Sequence, residues 1–363
     1  MTRLAIANLS QDQLQELMTS LGEPAFRATQ LLKWVYRSRA ISFNEMTDLP
    51  SELRRKLAVM ACVQSITPLD SITSDDGKTI KTLFRLRDNE TIESVFMSYD
   101  PMGAGRGRRT ACVSTQVGCA FGCPFCATGQ QGFKRNLTSG EIVDQVLYFS
   151  KLRLREGPGA NQDTGWKRPP INNVVFMGMG EPLANYEATL QAVENLNKGF
   201  GLGVRHMTIS TVGLVPQIRR LARARLQIGL SISLHAPNDE LRQRLVPMAR
   251  KHPLGSLVDA CRDYISQTGR RITFEYVLLE GLNDSPRHAA QLAHLLRGLN
   301  CHVNLIPANP ATESPFKAPA RQTIAAFQQE LSRHHIPNTL RVERGVSIAA
   351  GCGQLRGRLS ETS

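Results

Sequence analysis

Aromatic residues are scarce in this chain, 6% of 363 residues with only two tryptophans. That argues against a broad stacking platform of the kind that holds single-stranded nucleic acid base by base. Long apolar runs are missing as well. No stretch approaches the roughly eighteen residues that a membrane helix needs. The opening Met1-Thr2-Arg3-Leu4-Ala5-Ile6-Ala7-Asn8 is too short for a signal-peptide core. A cytoplasmic protein without membrane contact is therefore expected. With 41% hydrophobic residues the composition is not that of a disordered chain, and the length is ample for a sizeable core. Eight cysteines are too few for a secreted disulfide scaffold of this length. Acidic residues fall short of basic ones, 31 against 44, which leaves a formal net charge of +13.

An excess of positive charge points to polyanionic partners, although solubility alone is the plain alternative. The charge is clustered. Arg106, Arg108 and Arg109 precede the densest group of cysteines, and Lys134 and Arg135 follow it. Arg219, Arg220, Arg223 and Arg225 crowd a second segment, and Arg242, Arg244, Arg250, Lys251 and His252 a third. With so few aromatics, recognition of folded RNA by shape and phosphate contacts fits this pattern.

Between the first two basic groups lies Gly118-Cys119-Ala120-Phe121-Gly122-Cys123-Pro124-Phe125-Cys126-Ala127-Thr128-Gly129, with the spacing C-x3-C-x2-C. Gly122 permits positive φ and Pro124 fixes the following turn, so a broken loop points three thiols at one spot. Soft thiolates select iron–sulfur clusters, zinc or copper(I). An electron-transfer [4Fe–4S] cluster takes four cysteines. Three leave one iron without a protein ligand, the open position that catalytic metal sites keep. A structural zinc with a remote fourth ligand and a disulfide pair are the bland alternatives. A non-catalytic zinc-dependent RNA-binding protein is the corresponding reading for the whole chain. Cys62, Cys261 and Cys301 lie in apolar segments and read as small buried hydrophobes.

Periodicity places these features. Ser10 caps a helix carrying Leu14, Leu17 and Met18 and closed by Gly22. Further helices are expected over 24–38 and around Leu53 and Leu57. Strands at 80–86 and 92–97 flank a turn at 87–90. In the second of them Glu93 shares parity with Val95 and Met97, a carboxylate on an apolar face. From residue 111 strands and helices alternate. Strands are expected at 111–116, 171–177, 206–211, 227–234, 271–279 and 301–306, each followed by a helix, with a last strand over 338–343. A capping box at 138–141 opens the first of these helices. Six strand–helix units imply a parallel sheet and a partial barrel. In such folds working residues sit at the carboxyl ends of strands. The polar loop 156–170 reads as a surface insertion.

The cysteine loop resembles that of the radical S-adenosylmethionine (SAM) superfamily. The words around it, Cys112 to Cys119, Gln130-Gln131-Gly132-Phe133, Gly178-Met179-Gly180-Glu181-Pro182-Leu183 and Ala350-Gly351-Cys352-Gly353-Gln354-Leu355, resemble the RlmN family of RNA methyltransferases, and the likeness runs over nearly the whole chain. It implies an α/β fold, a partial (βα)6 radical SAM barrel with a small N-terminal helical domain and a short β extension. The expected division is 1–65 helical accessory domain, 66–104 β extension and linker, 105–345 radical SAM core, and 346–363 C-terminal loop and tail. The connection over 100–109 is longer than the family leads one to expect, and Ala308 replaces an expected aromatic.

The resemblance also implies residue roles. Cys119, Cys123 and Cys126 would hold a [4Fe–4S] cluster whose open iron chelates SAM. Gly180, Glu181, Ser210, Ser233, Leu234, His235 and Asn309 would contact SAM. Cys352 would take a methyl group from a first SAM, becoming S-methylcysteine. A second SAM, reductively cleaved, would provide the radical that activates this methyl for addition to adenine. Cys112 would resolve the resulting adduct through a transient disulfide with Cys352, and Glu93, in Ile92-Glu93-Ser94-Val95, would be the proton acceptor. The implied substrates are C2 of adenine 2503 in 23S rRNA and of adenine 37 in tRNA. A flavodoxin or ferredoxin would donate electrons, and the protein would be a monomer. The related antibiotic-resistance enzymes, which methylate adenine C8 with the same machinery, are the alternative.

Overall fold

The computed structural model describes residues 3–100, 107–155, 169–309, 315–341 and 345–357. Arg106, most of the 100–109 connection, nearly all of the 156–170 insertion, the end of the last expected strand and the tail from 358 lie outside them. The backbone is built on one sheet of ten strands. Arg108–Cys112 lies near its middle. From there Asn173–Phe176, Met207–Thr211, Gly229–Ser233, Ile272–Leu278, Cys301–Pro307 and Asn338–Leu340 follow in spatial order, each parallel to the one before. Helices Ser139–Arg155, Tyr186–Lys198, Val215–Arg223, Leu254–Thr268, Pro286–Leu296 and Arg321–Arg333 form the crossovers. Six strand–helix units and a seventh strand thus form the expected α/β sheet. It is open, with Asn338–Leu340 on one edge and Ile66–Thr73 on the other.

The other direction from Arg108–Cys112 is antiparallel. Thr91–Tyr99 pairs with it, then Thr79–Leu86, then Ile66–Thr73. The β extension therefore continues the barrel sheet, and Val95 lies directly opposite Cys112. Ile66–Thr73 escapes sequence reading because it is an edge strand with nearly every side chain exposed after Ile66, so no alternation marks it. The strand expected over 111–116 stops at Cys112. Beyond it the Val113 amide donates to the Val175 carbonyl (2.9 Å) and that of Thr115 to Met179 (2.8 Å), which ties the segment to the loop after the neighbouring strand. A short hairpin, Gln116–Gly118 with Phe133–Asn136, then brackets the cysteine loop.

The N-terminal module packs helices Gln11–Ser20, Phe26–Leu32 and Ser51–Met60 around Leu14, Met18, Leu31, Leu53 and Leu57, all fully buried. Ser10 and Gln13 form a reciprocal capping box. The second helix widens into a π-helical stretch, Lys33–Ser38, and ends where Arg39 turns left-handed at φ 55°. Polar contacts dock this module to the barrel. Asn8 Oδ1 accepts from the Gly140 amide (2.6 Å), where a Cβ would collide with the Asn8 side chain. Asp144 Oδ2 accepts from both the amide and the hydroxyl of Ser65 (2.6 Å each).

Asp144 Oδ1 is buried without a partner, and burial pushes the carboxyl up from 3.8 to about 6, against the Ser65 hydrogen bonds. A raised acid binds its proton more tightly folded than unfolded. Its contribution is present below the unfolded value and is lost as pH rises through about 6. Asp144→Asn should therefore gain on the native protein as pH rises across that window, by a few degrees in melting temperature. Thermal scans of both proteins at successive pH values check this; parallel curves would contradict it.

Candidate functional site

The carboxyl ends of the parallel strands, the cysteine loop and the C-terminal segment enclose a cavity of about 210 Å³. Cys119, Cys123 and Cys126 reach it from the loop, and Cys112 from the end of its strand. Gly180, Glu181, Ser210, Ser233, His235 and Asn309 line it from the strand-end loops, and Cys352 from the far end of the chain. Two residues expected at the site do not line it. Leu234 is fully buried behind the wall, with its amide donating to the Glu275 carbonyl and its own carbonyl accepting from Arg242. Glu93 lies on the neighbouring strand under the C-terminal segment.

The three loop thiols are free. Burial pushes Cys119 up to about 12 and raises Cys123 and Cys126 as well, so these thiols ionise only with a cation to compensate them, as metal binding provides. Among the described residues no three His, Cys, Asp or Glu side chains stand close enough to share a single metal ion. A polynuclear cluster, which gives each thiolate its own iron, does not require such convergence. Arg242 adds a charge of the right sign. It is fully buried, its bonds run to the carbonyls of Val212 (2.7 Å), Leu234 (3.2 Å) and Ser233 (3.4 Å), and its Nη1 has no hydrogen-bond partner. Burial lowers it to about 10, while the neighbouring Cys123 acts in the opposite direction. A buried guanidinium bonded only to carbonyls needs negative charge nearby, and a metal-bound thiolate at Cys123 would supply it.

The strand-end loops are held by their own side chains. Gly180 has φ +96°, and a Cβ there would lie 2.4 Å from that of Gln116, so the backbone packs too closely for any other residue. The Glu181 amide donates to Gln116 Oε1 (2.8 Å). Its carboxylate accepts from the amides of Leu183 (3.0 Å) and Val212 (2.8 Å), linking two strand-end loops. Burial nevertheless pushes this carboxyl up to about 7. Ser210 and Ser233 face each other at 3.5 Å. His235 occupies the left-handed region at φ 60°, a strained choice for this residue type. Its Nδ1 accepts from the Val277 amide (3.1 Å) and its ring meets Phe125 edge-on. Burial, then Arg242, lowers it to about 3, so it is neutral with its proton on Nε2.

Hydrogen bonds explain how the end of the chain reaches this cavity. The Ala127 amide donates to the Gly353 carbonyl (2.8 Å) and the Thr128 hydroxyl to that of Leu355 (2.7 Å). Glu93 Oε2 accepts from the amides of Arg356 (2.6 Å) and Gly357 (3.1 Å), while Oε1 faces Lys81 Nζ at 3.1 Å. The segment after Cys352 is thus stitched between the cysteine loop and strand Thr91–Tyr99. Asn309 Nδ2 donates to the Cys352 carbonyl (3.0 Å). Cys352 is exposed and Cys112 buried, both as free thiols. Burial, then the neighbouring Cys352, pushes the Cys112 thiol up to about 12.

Sequence reading missed three polar residues here. Arg341 donates to Cys352 Sγ at 2.9 Å. Glu275, buried in the barrel, accepts from Ser231 (2.8 Å) and Asn304 (2.7 Å). Lys81 reaches Glu93 from the adjacent strand. The one available signal was Glu275, a charge inside the otherwise apolar Phe274-Glu275-Tyr276-Val277.

Known proteins resemble the chain throughout. The family described as ribosomal RNA large subunit methyltransferase N-terminal domain matches residues 4–63, and the radical SAM superfamily matches 163–293. The ribosomal RNA large subunit methyltransferase N of Nitrosopumilus maritimus is 45% identical, over 95% of this chain and 96% of its own length. The probable dual-specificity RNA methyltransferase RlmN of Chloroflexus aurantiacus is 50% identical, over 97% and 92%. A crystal structure of a radical SAM methyltransferase from Sphaerobacter thermophilus superposes with a TM-score of 0.91 at 48% identity, covering 98% of this chain and all of that one.

Proposed function

The chain belongs to the RlmN family of radical SAM RNA methyltransferases, and from that premise we propose that it methylates C2 of adenine in 23S rRNA and tRNA, at adenines 2503 and 37, through S-methylation of Cys352. The family uses a [4Fe–4S] cluster and SAM, which sets aside the structural-zinc reading. Cys119, Cys123 and Cys126 would hold the cluster, and Gly180, Glu181, Ser210, Ser233, His235 and Asn309 would surround SAM, with Leu234 behind them holding Arg242 through its carbonyl. When bound, the cluster supplies the electron that splits SAM and starts radical chemistry at the methyl group.

The observation that carries this reading is the meeting of Cys112 and Cys352 in the cavity of the three cluster cysteines, although Cys352 lies more than two hundred positions from Cys126. Adenine C2 is not nucleophilic, so a methyl cation cannot be delivered to it directly. A thiolate can accept that cation and present the methyl again as a carbon radical. The two thiols are placed for different moments. Cys352 is exposed beside a guanidinium, suited to attack SAM. Cys112 is buried and its thiol is disfavoured from ionising, which spares it until the base is attached. Having lost its proton, its sulfur then bonds to that of Cys352 as the sulfur–methylene bond breaks, and the carbon keeps that electron pair and takes up a proton to become the methyl group of the released product. Glu93 accepts the ring proton, for which one of its oxygens must come free, Oε1 from Lys81 or Oε2 from the amides of Arg356 and Gly357.

The basic surface suits an RNA partner. Among the described residues no helix is long and apolar enough to cross a membrane. A flavodoxin or ferredoxin as electron donor, a monomeric state and a cytoplasmic location complete the proposal. An anaerobic assay with ribosomal RNA, tRNA, SAM and a reductant, read by nucleoside mass spectrometry, tests it. We expect 2-methyladenosine in both RNAs. Formation of 8-methyladenosine alone would overturn the C2 assignment in favour of the resistance-enzyme regiochemistry.

A further inference from the structure

Arg341 follows the last strand of the sheet, Asn338–Leu340, and is anchored there by its own amide, which donates to the Leu305 carbonyl (2.8 Å). Its half-buried side chain lines the cavity and places Nη1 2.9 Å from Cys352 Sγ. From the other side Asn309 Nδ2 holds the Cys352 carbonyl at 3.0 Å, and the Ala127 amide holds that of Gly353. The sulfur is therefore fixed against the guanidinium while its residue stays exposed. Arginine is protonated at any physiological pH. At hydrogen-bond distance its charge favours the ionised form of a thiol over the neutral one.

We propose that Arg341 is a further catalytic residue, which holds Cys352 as the thiolate that attacks the methyl group of SAM. This rests on the reading of Cys352 as the methyl carrier. The thiol proton leaves to solvent before SAM arrives, and Arg341 keeps its own proton throughout. A sulfur lone pair of Cys352 forms the new carbon–sulfur bond as the methyl–sulfonium bond of SAM breaks. That electron pair stays on the departing sulfur, which becomes a neutral thioether. Thiolate and sulfonium are consumed together, so no oxidant or reductant enters this step.

The test uses the full-length, anaerobically reconstituted protein. Iodoacetamide labelling of the Cys352 peptide is followed by mass spectrometry at fixed neutral pH. Arg341→Gln should slow labelling about tenfold, because a neutral amide beside the sulfur no longer favours the reactive thiolate, and Arg341→Lys should recover most of it. A mere anchor for the loop predicts the opposite, because a loosened, exposed Cys352 would label as fast or faster. Unchanged or faster labelling in a folded Arg341→Gln protein with native iron content would overturn the proposal. Should Arg341→Gln not fold, Arg341→Lys decides, with labelling within about threefold of the native rate supporting the charge role and a larger loss refuting it. Incubation of the native protein with SAM separates the two claims. If Cys352 gains no methyl while the labelling rates still depend on Arg341, the carrier reading fails and the charge effect stands.

Discussion

Cys352→Ala is expected to abolish methylation of RNA while leaving iron content and reductive cleavage of SAM at native levels. The separation follows from where the residue sits. Cys352 shares the cavity with Cys119, Cys123 and Cys126, but its own sulfur and carbonyl are held by Arg341 and Asn309, and the loop that carries the other three bonds only the backbone that follows it, at Gly353 and Leu355. Removing its sulfur leaves the cluster ligands, the Glu181 bridge and the neutral His235 untouched. Only the acceptor of the methyl group is lost, and no second exposed thiol lines the cavity among the described residues. Iron analysis, a SAM-cleavage assay and RNA methylation on the same preparation read the three properties separately. Loss of iron in Cys352→Ala would place this cysteine in the cluster. Residual methylation above about a hundredth of the native rate would be too fast for an enzyme lacking its covalent nucleophile.

Cys112→Ala has an effect of the same size with a different product. If Cys112 resolves the adduct, its loss stops turnover after the base is joined to Cys352, and the protein should accumulate covalently bound to RNA. Cys112 ends strand Arg108–Cys112, paired on one side with Val95 and on the other with Val175. Alanine fits this buried site with the loss of one small atom, so misfolding does not explain a trapped complex. Denaturing gels with labelled RNA read the adduct directly. Normal turnover would remove Cys112 from the mechanism.

What the sequence makes legible is what it encodes locally. The spacing of Cys119, Cys123 and Cys126 suggests a shared metal site because all three lie within one turn-rich loop, and the structure brings all three to one cavity. The six strand–helix units are visible because each repeats its own hydrophobic period. Contacts that depend on the sheet are not visible. Arg341 meets Cys352 because Asn338–Leu340 pairs with Cys301–Pro307 and the last segment folds back over the cavity. Lys81 meets Glu93 across two antiparallel strands whose register is set by their turn. Glu93 itself reads correctly as a carboxylate on an apolar face, but nothing in its neighbourhood in the chain tells that the amides of Arg356 and Gly357 would cap it. Arg242 looks in sequence like one more member of a basic surface cluster. It is instead fully buried beneath the strand-end loops, where the charge pattern misleads.

The central claim is that Cys352 carries the methyl carbon to the RNA base. The most direct measurement is mass spectrometry of the Cys112→Ala adduct, formed anaerobically with SAM, a reductant and RNA, then digested with nuclease and protease. The account predicts one cross-linked peptide, containing Cys352, joined to adenosine through a single carbon derived from SAM and attached at C2. A link at any other residue, or a base joined to the peptide without that carbon, would contradict it.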